Sequence, residues 1–461
     1  MPGRSMKLSL ADVVAATGAT LLDPANAPEE IVVSTDTRSL ERGETFLALR
    51  GPSFDGHEFV AEAIARGAAM VVVDDARSAA DGTAALVVRD TLQAYLAMAK
   101  LARERFTGCV VAITGSTGKT TTRAFVVHLL QPRYGSRVAS APGNENNEIG
   151  VAKLLLRIDP AEHDVAVVEM GARHPGDIAT LVDVAMPGFG ILTNVGDAHL
   201  EIMGSRERLA ETKWALFSRG ARAILNVRDE VSVARARSLS QPVHWFDASS
   251  SADVSRIAGR LTAIRDNERL IDSDGDRVLA DVPAVVGVPG AYNRINAAAA
   301  AACALELGVD ANSVAATLAD LHLPQGRFET FEMRGGWRII YDAYNASASG
   351  TIAALDALDD QHPQRAIAVL GSMAELGDES ARLHERVGAH AARRAGVVLV
   401  SGEYADALVR GAQGGDADIV RVESNADAAR WLRDHARSGD VVLLKGSRKY
   451  RLEEILTELR S

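Results

Sequence analysis

The chain reads as an α/β protein of three domains: a small N-terminal α/β unit, a central, mainly parallel sheet carrying a phosphate-binding loop, and a C-terminal Rossmann-like unit. Three observations predict this. Apolar, β-branched runs alternate with helical patterns over most of the chain, as in parallel sheets covered by helices. A Gly-rich turn joins one such strand to a helix at residues 114–121. The stretch Leu323-Pro324-Gln325-Gly326-Arg327 has the Pro/Gly content of a linker, and 461 residues exceed one ordinary core. The expected domains are 1–106, 107–325 and 326–461.

In the first unit, Ser9 before Leu10-Ala11-Asp12 reads as a capped helix start. Residues 31–35, 44–49 and 69–73 read as strands and 58–65 as a helix. The polar stretches between them, Asp36-Thr37-Arg38 and Phe54-Asp55-Gly56-His57, fall at strand ends, where binding groups tend to lie. Asp36 pairing with Arg38 across a turn, and Asp55-Gly56 serving only as a turn, read equally well.

In the central unit, strand 110–114 leads through the loop into a helical pattern at 124–130. Strands at 165–171, 190–195 and 223–227 follow. They deliver Glu169 and Gly196-Asp197-Ala198-His199 to the C-terminal strand edge, where open α/β sheets bind ligands. A polar stretch at 248–280 reads as a peripheral β excursion, and an Ala-rich helix begins near Asn293. The last unit alternates strands at 338–342, 366–370, 397–401, 419–422 and 441–444 with helices at 352–358, 380–395 and 426–436, before a final helix. No Gly-x-Gly-x-x-Gly loop follows its first strand, so it does not read as a dinucleotide site.

Composition narrows the function. With 47% hydrophobic and 24% charged residues this is a globular chain, and a net charge of -11 argues against a nucleic-acid partner. An anionic ligand must therefore be met locally. Cys109 and Cys303 lie far apart in apolar runs and read as buried thiols of a reducing compartment. No apolar run approaches the ~20 residues of a membrane span, and no targeting segment is evident. A cytoplasmic monomer without membrane insertion is expected.

The loop carries the clearest chemistry. The backbone N–H groups of Gly115, Ser116, Thr117, Gly118, Lys119, Thr120 and Thr121 sit where a helix N-terminus can wrap phosphate oxygens. Lys119 would reach the outer phosphates and the Thr120 hydroxyl a Mg²⁺ ion. Ile113 stands where the usual Walker spacing has Gly, so this loop is shortened. Glu169 and His199 on the same edge could hold Mg²⁺, although singly a solvated Glu and a structural His are the commoner outcomes. Asn293 and Asn296 share a helix face that could read a purine edge; capping by Asn293 fits as well. Asp342 ends a strand, as a carboxylate accepting from ribose hydroxyls would. Lys445-Gly446-Ser447-Arg448 offers two cations at a loop, and Lys213 reads as an ordinary helix-surface lysine.

Taken in order, these motifs resemble the Mur ligase family, the ATP-dependent amide-forming enzymes of peptidoglycan assembly, over essentially the whole chain. Within it, Asp36-Thr37-Arg38, Gly143-Asn144-Glu145-Asn146-Asn147-Glu148-Ile149-Gly150, Asp342-Ala343-Tyr344-Asn345-Ala346, Met373-Ala374-Glu375-Leu376-Gly377 and the Lys445–Arg448 loop are similar to one branch. That branch adds D-alanyl-D-alanine to UDP-N-acetylmuramoyl-tripeptide; the Asp-Asn-Pro-Arg signature of the diaminopimelate-adding relatives is absent.

The resemblance implies ATP and Mg²⁺ as cofactors, a UDP-linked muramoyl peptide and D-Ala-D-Ala as substrates, and an acyl-phosphate intermediate. It implies that Lys119 holds the ATP phosphates, that Thr120 and Glu169 bind one Mg²⁺ and His199 helps bind a second. Lys213 would be a carbamylated, metal-facing lysine, and Asn293 and Asn296 would contact adenine. Arg327 and Asp342 would approach phosphate and ribose as the last domain closes. Thr35, Asp36 and Arg38 would hold the UDP end of the acceptor and Asn144, Asn146 and Asn147 would line the peptide channel. Tyr344, Asn345 and Ser349 would face the incoming dipeptide. The chain departs from the family pattern at Ala152-Lys153, Tyr292, Gln325, Ser347-Ala348 and Ser372.

Overall fold

The computed structural model describes residues 5–51, 54–79, 82–197, 200–248, 257–265, 269–272, 277–282 and 288–460. Three sheets organise it. The N-terminal sheet has five strands in the order Thr20–Leu22, Ala85–Val87, Met70–Val73, Thr45–Leu47, Val33–Ser34, parallel except for the first pair. The expected strand at 31–35 is split: Glu30–Ile31 pairs with Leu8–Ser9, while Val33–Ser34 joins the larger sheet. Ser9 does cap the first helix, Leu10–Thr17, accepting from the Asp12 N–H at 3.4 Å.

The central sheet has nine strands, with Cys109–Thr114 between Val165–Glu169 and Phe189–Leu192. Seven strands, from Val138–Ser140 to Arg260–Arg265, run parallel. The peripheral β excursion expected near 248–280 takes the form of strands at the outer end of this sheet. Arg260–Arg265 extends the parallel sheet and the strands Arg269–Asp272 and Arg277–Asp281 add to its edge antiparallel. Sequence pattern also passes over His244–Asp247, a buried strand of four residues with no apolar run to mark it.

The register Ile113↔Glu169 and Ile113↔Ile191 brings the ends of three strands level, so the loop after Thr114 opens at one edge beside Glu169. Behind it the helix Ala291–Glu306 lies against the helix Lys119–Tyr134 and the strands His244–Asp247 and Arg260–Arg265. Ala297 to Ala302 are all fully buried, which lets the helix approach closely.

The C-terminal sheet has the order Glu329–Met333, Trp337–Tyr341, Asp440–Lys445, Arg365–Gly371, Val397–Ser401, Asp418–Arg421, antiparallel only at the first pair. Met70, Val110, Val168 and Leu443 belong to one contiguous apolar cluster, so the three sheets share packing. Among the described residues no helix is long and apolar enough to cross a membrane.

Candidate active site

The phosphate loop is held open by two glycines and fastened by one neighbouring stretch. A Cβ on Gly115 (φ +152°) would stand 1.9 Å from Thr193 Oγ1, and one on Gly118 (φ +83°) 2.4 Å from Asn296 Oδ1, so neither position admits a side chain. The Ser116 N–H donates to Asn194 O at 2.9 Å and the Thr117 N–H to Asn194 Oδ1 at 3.2 Å. Thr193 Oγ1 donates to Thr117 O at 2.6 Å, and the Gly196 N–H to Ser116 Oγ at 2.9 Å. Thr193 and Asn194 thus template the loop. Their strand is recognisable from its sequence, but this cross-strand role is not.

Two lysines meet beneath the loop. Lys119 Nζ donates to Gly115 O at 2.9 Å and Lys213 Nζ to the same oxygen at 3.1 Å. The surface reading of Lys213 is wrong: its helix, Arg206–Trp214, turns it inward and leaves it 1% exposed. Burial, and then the Lys119 cation, push its amine well below the ordinary lysine range. Lys119 is lowered by burial, opposed by Glu169 and reinforced by Arg327. Thr120 is half-buried and Thr121 buried in the first turn of the helix Lys119–Tyr134.

Glu169 stands beside this pair with an unfilled valence. It is 4% exposed; Oε1 accepts from Asn146 Nδ2 at 2.9 Å, while buried Oε2 has no hydrogen-bond partner among the described residues. Arg123 Nε lies 3.7 Å from that oxygen. Its guanidinium also donates to Ala141 O and, at 2.8 Å, to Gly143 O. Arg123, to which sequence pattern assigns no role, therefore ties the asparagine loop to the carboxylate. A buried carboxylate oxygen that accepts no hydrogen bond costs free energy unless something fills it. Its hard oxygen, one threonine hydroxyl and substrate phosphates are the donor set Mg²⁺ uses, and no dedicated protein cage is needed. Correspondingly, no three His, Cys, Asp or Glu side chains converge among the described residues. His199 lies outside the described residues.

The asparagines divide their work. Asn146 bridges Asn144 Oδ1 (2.7 Å) and Glu169, whereas Asn147 Oδ1 caps the helix Glu148–Arg157 through the Gly150 N–H at 3.0 Å. Asn296 packs on Gly118, while Asn293 is not a cap: its amide donates to Pro289 O at 2.8 Å.

The C-terminal domain reaches the same edge. Arg327 lies over the Tyr344 ring at 4.4 Å, with Arg448 at 5.1 Å from its centroid. Asp342 is already engaged: Oδ2 pairs with buried Lys445 at 3.0 Å, and Oδ1 accepts from the Phe328 N–H at 3.3 Å. Asn345 is exposed, its Oδ1 accepting from the Ala346 N–H at 2.9 Å. Ser349 Oγ is buried against Gly196, without a partner among the described residues. Asp197, adjoining the loop, contacts Arg206 and lies 3.9 Å from Arg386 of the C-terminal domain.

Three of the departures from the family pattern, Ser347, Ser372 and Tyr292, have local contacts. Ser347 caps the helix Ala348–Asp359, and fully buried Ser372 donates to Ser401 O at 3.2 Å while accepting from the Tyr404 N–H at 2.9 Å. Tyr292 packs edge-on against Phe328.

Thr35, Asp36 and Arg38 lie away from the phosphate loop. Asp36 takes a bidentate pair from Arg38 at 2.9 and 2.7 Å. The Arg38 guanidinium holds the Asp36 carboxyl down to about 2, with Lys153 of the helix Glu148–Arg157 adding to the effect. The cross-turn pairing is the arrangement found.

Comparison with known proteins gives this geometry a relative. The family model of the Mur ligase middle domain matches residues 113–304, that of the Mur ligase family catalytic domain 32–104, and that of the glutamate ligase domain 326–448. The UDP-N-acetylmuramoyl-tripeptide--D-alanyl-D-alanine ligase of Synechocystis sp. is 36% identical over 98% of both chains. The chain belongs to the Mur ligase family. The Escherichia coli ligase of the same name is 32% identical to this Mur ligase over 93% of each chain. Among solved structures, MurF from Acinetobacter baumannii superposes with a TM-score of 0.85 at 27% identity, covering 100% of this chain and 99% of that one. MurF ligase from Thermotoga maritima in complex with ADP gives 0.78 at 27% identity, covering 93% and 98%.

Proposed function

We propose that this Mur ligase joins D-alanyl-D-alanine to the tripeptide carboxylate of UDP-N-acetylmuramoyl-tripeptide at the expense of ATP, as a cytoplasmic enzyme of peptidoglycan precursor synthesis. The whole-chain likeness to ligases of that name supports the substrates. The observation that carries the chemistry is the pair of lysines sharing Gly115 O beside Glu169, whose buried Oε2 accepts no hydrogen bond among the described residues.

The acceptor carboxylate attacks the γ-phosphorus of ATP; the new P–O bond forms as the bond to the β-phosphate oxygen breaks and ADP leaves. The dipeptide amine then adds to the acyl carbon, loses a proton, and phosphate departs with the C–O bond. No protein nucleophile is required, so positioning and charge neutralisation carry the barrier reduction. Lys119 and the amides of 118–120 hold the phosphates, the Ser116 and Thr117 amides being taken up by Asn194, and Arg327 reaches them from the C-terminal domain. Mg²⁺, held by Thr120 and Glu169 with His199 at a second ion, would neutralise phosphate oxygens.

Lys213 fits a carbamate. An uncharged amine, which burial favours here, is the form that adds CO₂ and loses a proton to give an anion facing the metal site. Asn293 and Asn296 lie at the adenine side. Asp342 would have to loosen its Lys445 pair to accept from ribose. Thr35, Asp36 and Arg38 serve the UDP end, Asn144, Asn146 and Asn147 the peptide channel, and Tyr344 and Asn345 the dipeptide. Phosphate release with UDP-N-acetylmuramoyl-tripeptide, screened across dipeptides and amino acids, tests the reading. Release should require both substrates and peak with D-Ala-D-Ala. Release without an amine, or a preference for a single amino acid, would overturn it.

A further inference from the structure

The N-terminus of the helix Ala348–Asp359 faces the phosphate loop across the domain boundary. A Cβ on Gly350 would stand 3.4 Å from Thr117 Cγ2, and one on Gly196 3.0 Å from Ser349 Oγ. Gly196 in turn donates its N–H to Ser116 Oγ. Ser347 takes up the Gly350 N–H through its hydroxyl at 3.2 Å and the Thr351 N–H through its carbonyl at 2.8 Å. Among the described residues, the Ala348 and Ser349 amides have no acceptor.

Two helix N-termini from different domains therefore approach the tip of one loop. Each leaves backbone donors free and places the positive end of its dipole there. The independent observation is the Ser349 hydroxyl. Its oxygen is shut off from solvent and unpartnered among the described residues, a cost that native structures rarely leave uncompensated.

We infer that Ser349 Oγ and the first-turn amides of the helix Ala348–Asp359 form the second half of an anion hole that grips the transferring phosphoryl group. This rests on the nucleotide reading above and assigns Ser349 to the phosphate rather than to the dipeptide. In the step concerned, the γ-phosphoryl group leaves ADP as its bond to the carboxylate oxygen forms, with no proton transferred. A hydroxyl donor and two amides at this boundary would stabilise the charge on its equatorial oxygens without being consumed. The contact exists only when the C-terminal domain is against the loop, so phosphoryl transfer is coupled to that packing.

The test is tripeptide-dependent ADP/ATP exchange without dipeptide, which reports the first step alone, measured on Ser349→Ala beside direct nucleotide affinity. Exchange should fall about 10- to 100-fold, with nucleotide affinity and the dipeptide KM unchanged. Undiminished exchange would overturn the inference, whether the dipeptide KM rises (a dipeptide contact) or stays fixed (a packing role). Exchange absent from the unaltered chain, or complete in Lys119→Ala, would overturn the underlying nucleotide reading and the inference with it.

Discussion

Lys213 and Lys445 are both buried lysines at the C-terminal edge of a parallel sheet, yet their surroundings are opposite. Lys445 Nζ has a carboxylate, Asp342 Oδ2 at 3.0 Å, and two carbonyls, Asp342 O and Asn345 O at 2.8 and 2.9 Å. Lys213 has one carbonyl, which it shares with a second cation. Burial lowers both, but Asp342 opposes the effect at Lys445 while Lys119 reinforces it at Lys213. The first is a satisfied ion pair that fixes a loop. The second is an amine whose charged form its site disfavours, and such a group is poised for chemistry rather than for stability.

The contrast can be broken at several points. Lys119→Ala should cut ADP formation by about 10³-fold, and Lys213→Ala should also be inactive but partly rescued by small carboxylates; both are read by steady-state turnover. Undiminished activity of Lys213→Ala would remove the carbamate. Next in size, Lys445→Met strands the Asp342 carboxylate and should cost about 3–5 kcal/mol in urea unfolding. By contrast, Lys213→Met should cost little, because it replaces an uncompensated buried amine.

The pH dependence follows from the same difference. A lysine with a depressed native pKa binds fewer protons folded than unfolded, so stability rises with pH up to the ordinary value of 10.5. Above neutrality that rise should be shallower in Lys213→Met than in the unaltered chain, measured by denaturation across the alkaline range. The smallest effect is expected at Arg38. Arg38→Ala should let the Asp36 carboxyl climb from about 2 towards 3.8 in an NMR titration. The stability this pair adds is present above the unfolded value and lost as pH falls through the native one. Because Arg38 is exposed, solvent screens the pair and its contribution to stability should be small.

What the sequence discloses divides along the same physical line. The strand, glycines, Lys119 and Thr120 form one contiguous motif, so their chemistry is local and readable before folding. The helix of Lys213 carries Arg206, Glu207, Arg208, Glu211 and Lys213 in nine residues, which disguises the buried side of a lysine. Only contact with Gly115, 98 positions away, reveals it. Thr193, Asn194 and Arg123 are similarly silent, since each acts on backbone atoms of another segment. Strands beyond the clear apolar runs, such as His244–Asp247, are defined by neighbours in the sheet rather than by their own pattern.

The alanines of the helix Ala291–Glu306 work as a shim. Asn296, in its second turn, touches Gly118 from behind, so the clearance of the phosphate cradle is gauged by how thin that helix is. A single added methyl group at Ala299 or Ala300 would be felt at the loop as a displacement, not as a missing contact. The fit of the cradle is therefore adjustable from one turn further along the same helix face.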